Sequence, residues 1–121
     1  MHSDLTPGDV LLVLCNTPDA GCARTIARAL VERRLAACVN VLSPCQSVYR
    51  WQGDIEEAEE VPLLIKTTRQ AYPALETTLH ALHPYDTPEI IALPLAAGLP
   101  AYLGWVQAEC GARNPASGPT P

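Results

Sequence analysis

The chain has 121 residues, of which 48% are apolar and 17% are charged, and its formal net charge is −5. This balance predicts one folded domain, and the negative charge argues against general nucleic-acid binding, which needs a basic surface. No apolar run approaches the roughly 20 residues that cross a bilayer, so we expect no membrane association. We expect the domain over residues 9–110, with flexible segments at 1–8 and 111–121 that are polar or rich in Pro, Gly and Ser.

The five cysteines form no C-x-x-C pair and are odd in number. The beginning of the chain also has no secretory signal pattern, so we expect reduced thiols and a cytoplasmic location. Cys22, Cys38 and Cys110 fall on the apolar sides of periodic segments, which predicts that they pack as small core residues.

The first half of the chain reads as a strand, a helix and a long hairpin. An unbroken apolar run over 10–15 predicts a strand buried on both faces. Thr17, Pro18 and Asp19 then favour a helix start with Thr17 at the N-cap. Extended segments follow at 38–51, with an expected bend at Pro44, and at 55–68 after the turn signal around Gly53. The hairpin is long enough to project beyond the core of one domain.

The second half adds a helix at 70–82, a strand at 89–95 and a short helix at 100–110. The resulting order is β-α-β-β-α-β plus a terminal helix. This order predicts an α+β fold, the ferredoxin-like split β-α-β sandwich with an antiparallel sheet, a long β-hairpin and an extra C-terminal helix. Because one sheet face and the hairpin edges would lack cover, we infer a homo-oligomer.

The segment after the second helix carries the first candidate site. Pro84 and Pro88 stiffen it, so we expect an extended His83 whose imidazole is presented from a loop. The topology brings this loop towards Cys15 at the end of the first strand, and such a pair suits Cu(I), Cu(II) or Zn(II). Glu89, Asp86 or a group from another chain would complete the ligand set. The alternative is a buried Cys15 and an imidazole bonded to backbone.

A nucleophilic Cys15 activated by His83 is the corresponding enzymatic hypothesis. The sequence offers no convincing Asn or Asp to orient the imidazole, and no local catalytic signature. We therefore expect no enzymatic activity.

Aromatic residues on the hairpin, the loop before the last strand and the terminal helix form a second candidate set: Tyr49, Trp51, Tyr85, Tyr102 and Trp105. Such rings most often anchor interfaces between chains. A sharper hypothesis is a polar pocket between subunits, lined by Tyr49, Trp51, Glu60, Lys66 and Tyr85. Lys66 interrupts an apolar strand, so it must reach solvent, pair with a carboxylate or meet an anionic ligand, and we favour the carboxylate.

Several motifs together resemble the CutA divalent-ion tolerance family over residues 10–106. They are Leu14-Cys15-Asn16-Thr17-Pro18-Asp19, Leu35-Ala36-Ala37-Cys38-Val39-Asn40, Ser47-x-Tyr49-x-Trp51-x-Gly53, Lys66-Thr67, His83-Pro84-Tyr85-x-x-Pro88-Glu89-Ile90 and Tyr102-Leu103-x-Trp105. The resemblance implies a ferredoxin-like protomer, a homotrimer with hairpins paired between subunits, and a link to tolerance of copper and other divalent cations. It also implies that Cys15 and His83 correspond to copper ligands proposed for bacterial members, whereas Leu82 replaces a further histidine of some members.

Three hypotheses for function result. The leading one is a trimeric protein that binds copper or another divalent metal ion through Cys15, His83 and Glu89, with no organic cofactor. The trimeric plan also resembles that of the PII signalling proteins, so the alternative is a regulatory module that binds a small anionic metabolite between subunits. The third is a structural trimer that serves as a scaffold.

Overall fold

The computed structural model describes residues 9–111, which form three helices and five strands. The elements are β1 (Val10–Thr17), α1 (Ala20–Glu32), β2 (Cys38–Val41), β3 (Cys45–Trp51), β4 (Asp54–Thr68), α2 (Tyr72–Leu82), β5 (Ile90–Pro94) and α3 (Pro100–Glu109). The end segments predicted to be flexible lie outside the described residues, except for Gly111.

The sheet has the strand order β2-β4-β1-β5, and β3 pairs with the projecting part of β4. All the pairings are antiparallel. Two helices connect strands that are not neighbours, as in the split β-α-β arrangement, so the predicted ferredoxin-like α+β fold is confirmed. The extended segment at 38–51 is divided into β2 and β3 by residues 42–44, which include Pro44, and both strands pair with β4.

The core lies between the sheet and the first two helices. Alternate residues of β1 and β4 face this side, because side chains along a strand point to opposite faces. The most deeply buried members, at no more than 1% exposure, include Val13, Cys15, Ile26, Leu30, Leu63, Ile65, Leu75 and Leu79. A smaller cluster joins α3 to Val10 and Ala37. On β5, Ile91 and Leu93 stay about half exposed.

The start of α1 differs from the prediction, since the N-cap is Asp19 and not Thr17. The Asp19 carboxylate accepts a hydrogen bond from the Cys22 amide at 2.8 Å. Thr17 remains in β1, where it pairs with Val61 and donates its buried hydroxyl to the Val61 carbonyl at 2.8 Å. Pro18 explains the difference, because it keeps the preceding residue extended and delays the helix.

Arg34 connects the ends of α1 and α3. Its backbone is left-handed, with φ of 60°, which turns the chain out of α1. Its guanidinium donates to the carbonyls of Ala108 and Gly111 at 2.9 and 2.7 Å and pairs with Glu109 at 3.7 Å. The Gly111 amide in turn donates to the Arg34 carbonyl at 2.7 Å. These bonds satisfy carbonyls at the end of α3, which have no partners within the helix.

Candidate functional site

Three of the predicted site residues meet at the end of β1, around Asn16. The β1–β5 register places Cys15 opposite Ile90, which brings Glu89 to this end of the sheet. The Asn16 side-chain amide donates to Glu89 at 3.1 Å, and the Asn16 carbonyl lies 2.7 Å from His83 Nε2. We name Cys15, Asn16, His83 and Glu89 the β1-end site.

Both ring nitrogens of His83 have partners. The Tyr85 amide donates to Nδ1 at 3.1 Å, so Nδ1 is unprotonated and the proton is assigned to Nε2, which donates to the Asn16 carbonyl. Neither nitrogen therefore has a lone pair free for a metal ion in this arrangement. The backbone of His83 is extended as predicted, but the residue is only 6% exposed. The expectation that the loop presents the imidazole is wrong, because the loop folds the ring inward against Tyr85, with centroids 4.7 Å apart.

Cys15 is also enclosed, with only 1% of its surface exposed and its Sγ 3.7 Å from the Asn16 carbonyl. Burial, followed by the negative charge of Glu89, raises the pKa of the thiol to about 12. The sulfur is therefore protonated at neutral pH. A thiol in this state is a poor nucleophile and must lose its proton before it binds a metal ion as a thiolate.

The described part of the chain holds no ready-made cluster of metal ligands. Within residues 9–111, no three His, Cys, Asp or Glu side chains are arranged so that they could hold one ion. The candidate ligands of the β1-end site are thus close together, but they are not arranged around one position for a metal ion. Metal binding by Cys15, His83 and Glu89 stays a prediction.

Beside the β1-end site lies a cleft of about 630 Å³. We name it the aromatic cleft, and it is lined by Asn16, Ser47, Val48, Tyr49, Trp51, Glu60, Tyr85, Asp86, Thr87 and Glu89. In the β3–β4 register, Tyr49 lies opposite Glu56 and Trp51 opposite Asp54, so both rings stand on the strand face that also carries Glu60. Four of the five residues predicted for a pocket therefore come together in one chain.

Tyr85 and Glu60 form the hydrogen bond at the inner end of the aromatic cleft. The tyrosine hydroxyl donates to Glu60 Oε2 at 3.1 Å. Burial raises the pKa of Tyr85 to about 12, and the hydrogen bond to Glu60 and the carboxylate charge add to the effect. Tyr85 therefore keeps its proton and remains a donor to Glu60 throughout the neutral range.

The fifth predicted residue, Lys66, does not line the cleft of its own chain. It follows Glu60 by six residues on β4, which at about 3.3 Å per residue is a separation of roughly 20 Å. Its Nζ bonds to the side-chain oxygen of Asn40 and lies 4.0 Å from Cys38 Sγ. The preferred carboxylate partner is therefore wrong, and Lys66 could reach an aromatic cleft only in another subunit.

Asn16 is the site residue that the sequence analysis did not single out. It bonds to His83 through its backbone and to Glu89 through its side chain. The available signal was a polar side chain at the end of an otherwise apolar strand, directly after the candidate ligand Cys15.

No helix within residues 9–111 has the length and apolar character needed to span a membrane. The CutA1 divalent ion tolerance protein model matches residues 11–109. The chain is 52% identical over 100 residues to the divalent-cation tolerance protein CutA of Thermus thermophilus, which covers 83% of this chain and 97% of the relative. It is 44% identical over 106 residues to the protein of that name from Pectobacterium atrosepticum, with coverage of 88% and 96%.

A solved structure of a divalent cation tolerance protein (Cut A1) from Thermus thermophilus superposes with a TM-score of 0.83. The two chains are 51% identical in this comparison, which covers 84% of this chain and 99% of the other. The range matched by the family model includes every helix and strand described above except Val10, the first residue of β1. The chain therefore belongs to the CutA1 divalent ion tolerance family.

Proposed function

We propose that this protein acts in divalent-cation tolerance as a homotrimer that binds copper or another divalent metal ion at the β1-end site. The names of its relatives support the biological role. The observation that carries the site assignment is the convergence of two sequence-distant groups on Asn16: the His83 imidazole and the Glu89 carboxylate, both beside Cys15. Imidazole, thiolate and carboxylate together make a donor set that suits copper or zinc.

Metal binding at this place requires local rearrangement. His83 must release the Asn16 carbonyl or the Tyr85 amide before one of its nitrogens can bind a metal ion. Cys15 must also lose a proton that burial holds tightly. Leu82, which packs against the core beside His83, adds no donor. We therefore propose a site whose affinity rises with pH, since binding releases a proton.

The homotrimer is supported by apolar surface that one chain leaves open. Ile91 and Leu93 are about half exposed on β5, and Val48 and Ile55 are exposed on the projecting hairpin. Large apolar side chains left exposed in one chain are typical of contacts between chains. Light scattering over a dilution series should give about three times the chain mass of 13.0 kDa. A species that stays monomeric at every concentration would refute the trimer.

Titration calorimetry with Cu(II) and with Zn(II) tests the site. We expect Cys15→Ala and Glu89→Gln each to weaken binding by at least about tenfold, because each removes a ligand. Cys45→Ala is the matched control, since Cys45 is an exposed thiol on β3 that is not among the proposed ligands. Equal affinities in all the variants and the wild type would exclude the assignment. A trimer that binds neither metal would favour the scaffold hypothesis.

The regulatory alternative with an anionic ligand has less support. The aromatic cleft of one chain is lined by Glu60, Asp86 and Glu89, and none of its described lining residues is basic. An anion would depend on a cation such as Lys66 from a second subunit.

A further inference from the structure

Glu60 is a buried charge that lacks a positive partner in the described chain. It is 8% exposed, and within residues 9–111 the group that its side chain bonds is the neutral Tyr85 hydroxyl. Its position explains the burial, because Glu60 is the residue at which β4 passes from the hairpin into the domain. A buried carboxylate is costly unless a cation compensates it, and a hydroxyl does not supply that charge.

The surroundings add negative charge. Asp86 and Glu89 line the same cleft, and the remaining described lining residues are neutral. Three carboxylates that share one concave surface reinforce each other's potential, which low-dielectric walls focus into the cleft. The aromatic cleft thus attracts cations and repels anions.

The walls of the aromatic cleft favour an organic cation over a bare metal ion. Tyr49, Trp51 and Tyr85 contribute rings to the aromatic cleft, and these residues are between 37% and 55% exposed. Ring faces attract ammonium and guanidinium groups, and they also cover the carbon atoms attached to such groups. A hydrated divalent ion would gain little from this surface. The volume of about 630 Å³ suits a small molecule.

We propose that the aromatic cleft binds a small organic cation that carries an alkylammonium or alkylguanidinium group. The charged group bonds to Glu60 at the inner end, and the carbon chain lies against Trp51 and Tyr49 towards the opening. This site adjoins the metal site proposed above and shares Asn16 and Glu89 with it, but it uses neither Cys15 nor His83. The following experiment changes Glu60 and Trp51, which belong to the aromatic cleft alone.

The fluorescence of Trp51 can report ligand binding in the aromatic cleft. The chain has two tryptophans, so a Trp105→Phe background leaves Trp51 as the only one. Butylguanidinium and butylammonium chloride are titrated into the full-length protein at constant ionic strength, with sodium butyrate and butanol as the anionic and neutral probes. We expect a saturable change in Trp51 fluorescence with the two cations and none with butyrate or butanol.

Two substitutions test the contacts. Glu60→Gln preserves the shape of the side chain and should weaken cation binding by about tenfold or more, since a charge-assisted hydrogen bond is lost. Glu57→Gln is the matched control, because Glu57 is an exposed carboxylate on the opposite face of the same strand. It should leave the affinity within about twofold, as expected for a surface charge.

A second variant keeps the test independent of any effect of Glu60→Gln on folding. Trp51→Leu changes a residue that is 55% exposed, and it should weaken butylguanidinium binding by about threefold when measured by calorimetry. The proposal is overturned if neither cation gives a saturable response, if butyrate binds equally well, or if Glu60→Gln and Glu57→Gln behave alike. The first of these results is also expected if an Arg or Lys side chain of a second subunit fills the cleft.

Discussion

The two halves of β4 belong to one continuous strand, but the inner half is packed in the core and the projecting half is exposed to solvent. Residues 61–68 pair with β1 on one side, residues 63–66 also pair with β2, and every second side chain is buried in the core. Residues 54–60 pair with β3, and most of their side chains are exposed. Both candidate sites lie where one half becomes the other. The inner half therefore contributes most of the buried core of β4, and the candidate site residues lie at the junction between the halves.

The largest contrast should appear in thiol reactivity. Cys15 faces Leu63 in the inner half, whereas Cys45 faces Glu60 at the start of the projection. We expect iodoacetamide at about pH 8 to alkylate Cys45 at least about 100-fold faster than Cys15, because Cys15 is buried and almost entirely protonated. Peptide mass spectrometry over time gives both rates in one sample. Comparable rates would contradict the enclosed Cys15 and would revive the hypothesis of a cysteine nucleophile.

The next largest contrast should appear in the free energy of unfolding, when one apolar residue is truncated in each half of β4. Leu63→Ala leaves a cavity in the core and should lower the free energy of unfolding by about 3 kcal/mol. Ile55→Ala, at a residue that is 60% exposed in the protomer, should change the stability of a single chain by less than about 0.5 kcal/mol, and any further loss reports its contact with another chain in the proposed trimer. Urea unfolding at several protein concentrations separates the two contributions, since only the one from association depends on concentration. Equal concentration-independent losses would mean that the projecting half is as tightly packed as the core.

The smallest of these effects is a dependence of stability on alkaline pH. The thiol of Cys15 has its pKa raised from 9.0 to about 12 by folding, so the unfolded chain loses this proton first. The contribution of the protonated thiol is complete below pH 9 and is lost as the pH rises towards 12. Between about pH 9 and 10, we expect the free energy of unfolding to fall by about 1 kcal/mol more in the wild type than in Cys15→Ala.

Cys45→Ala is the control for this measurement, because it removes an exposed thiol and should keep the wild-type slope. Urea unfolding curves at each pH supply the data. A Cys15→Ala protein that loses stability as steeply as wild type would show that the thiol is not enclosed.

Periodicity predicted the fold because each element has its own apolar pattern. The strand over 10–15, the helices and the long hairpin all appear in the expected order. The apolar patterns did not predict which hydrogen-bond partner a polar side chain takes when two are possible. At Thr17, a hydroxyl that suits a helix cap instead bonds to the neighbouring strand. Local sequence does not reveal this, because the partner Val61 is 44 residues away.

At the candidate sites, too, local sequence predicted the backbone but not the side-chain contacts. Proline restraints fixed the extended backbone of His83, but the direction of the ring depends on Asn16 and Tyr85, which meet it only in the folded chain. Glu60 and Lys66 were predicted to line one pocket between subunits, without regard to the distance that separates them along β4. The six-residue spacing, converted into length along a strand, would have separated them in advance.

The Arg34 contacts have a consequence for the order in which the molecule opens. They join residues 34 and 111 across 77 positions, so β2 to α3 lie within a loop closed by hydrogen bonds. Closing a loop of this length costs chain entropy once, and every element inside it then docks at less cost. Loss of the Arg34 bonds would loosen the end of α3, whereas Leu103 and Val106 keep the helix packed against Val10 and Ala37. The last turn of α3 can therefore open locally at a lower free energy than global unfolding requires.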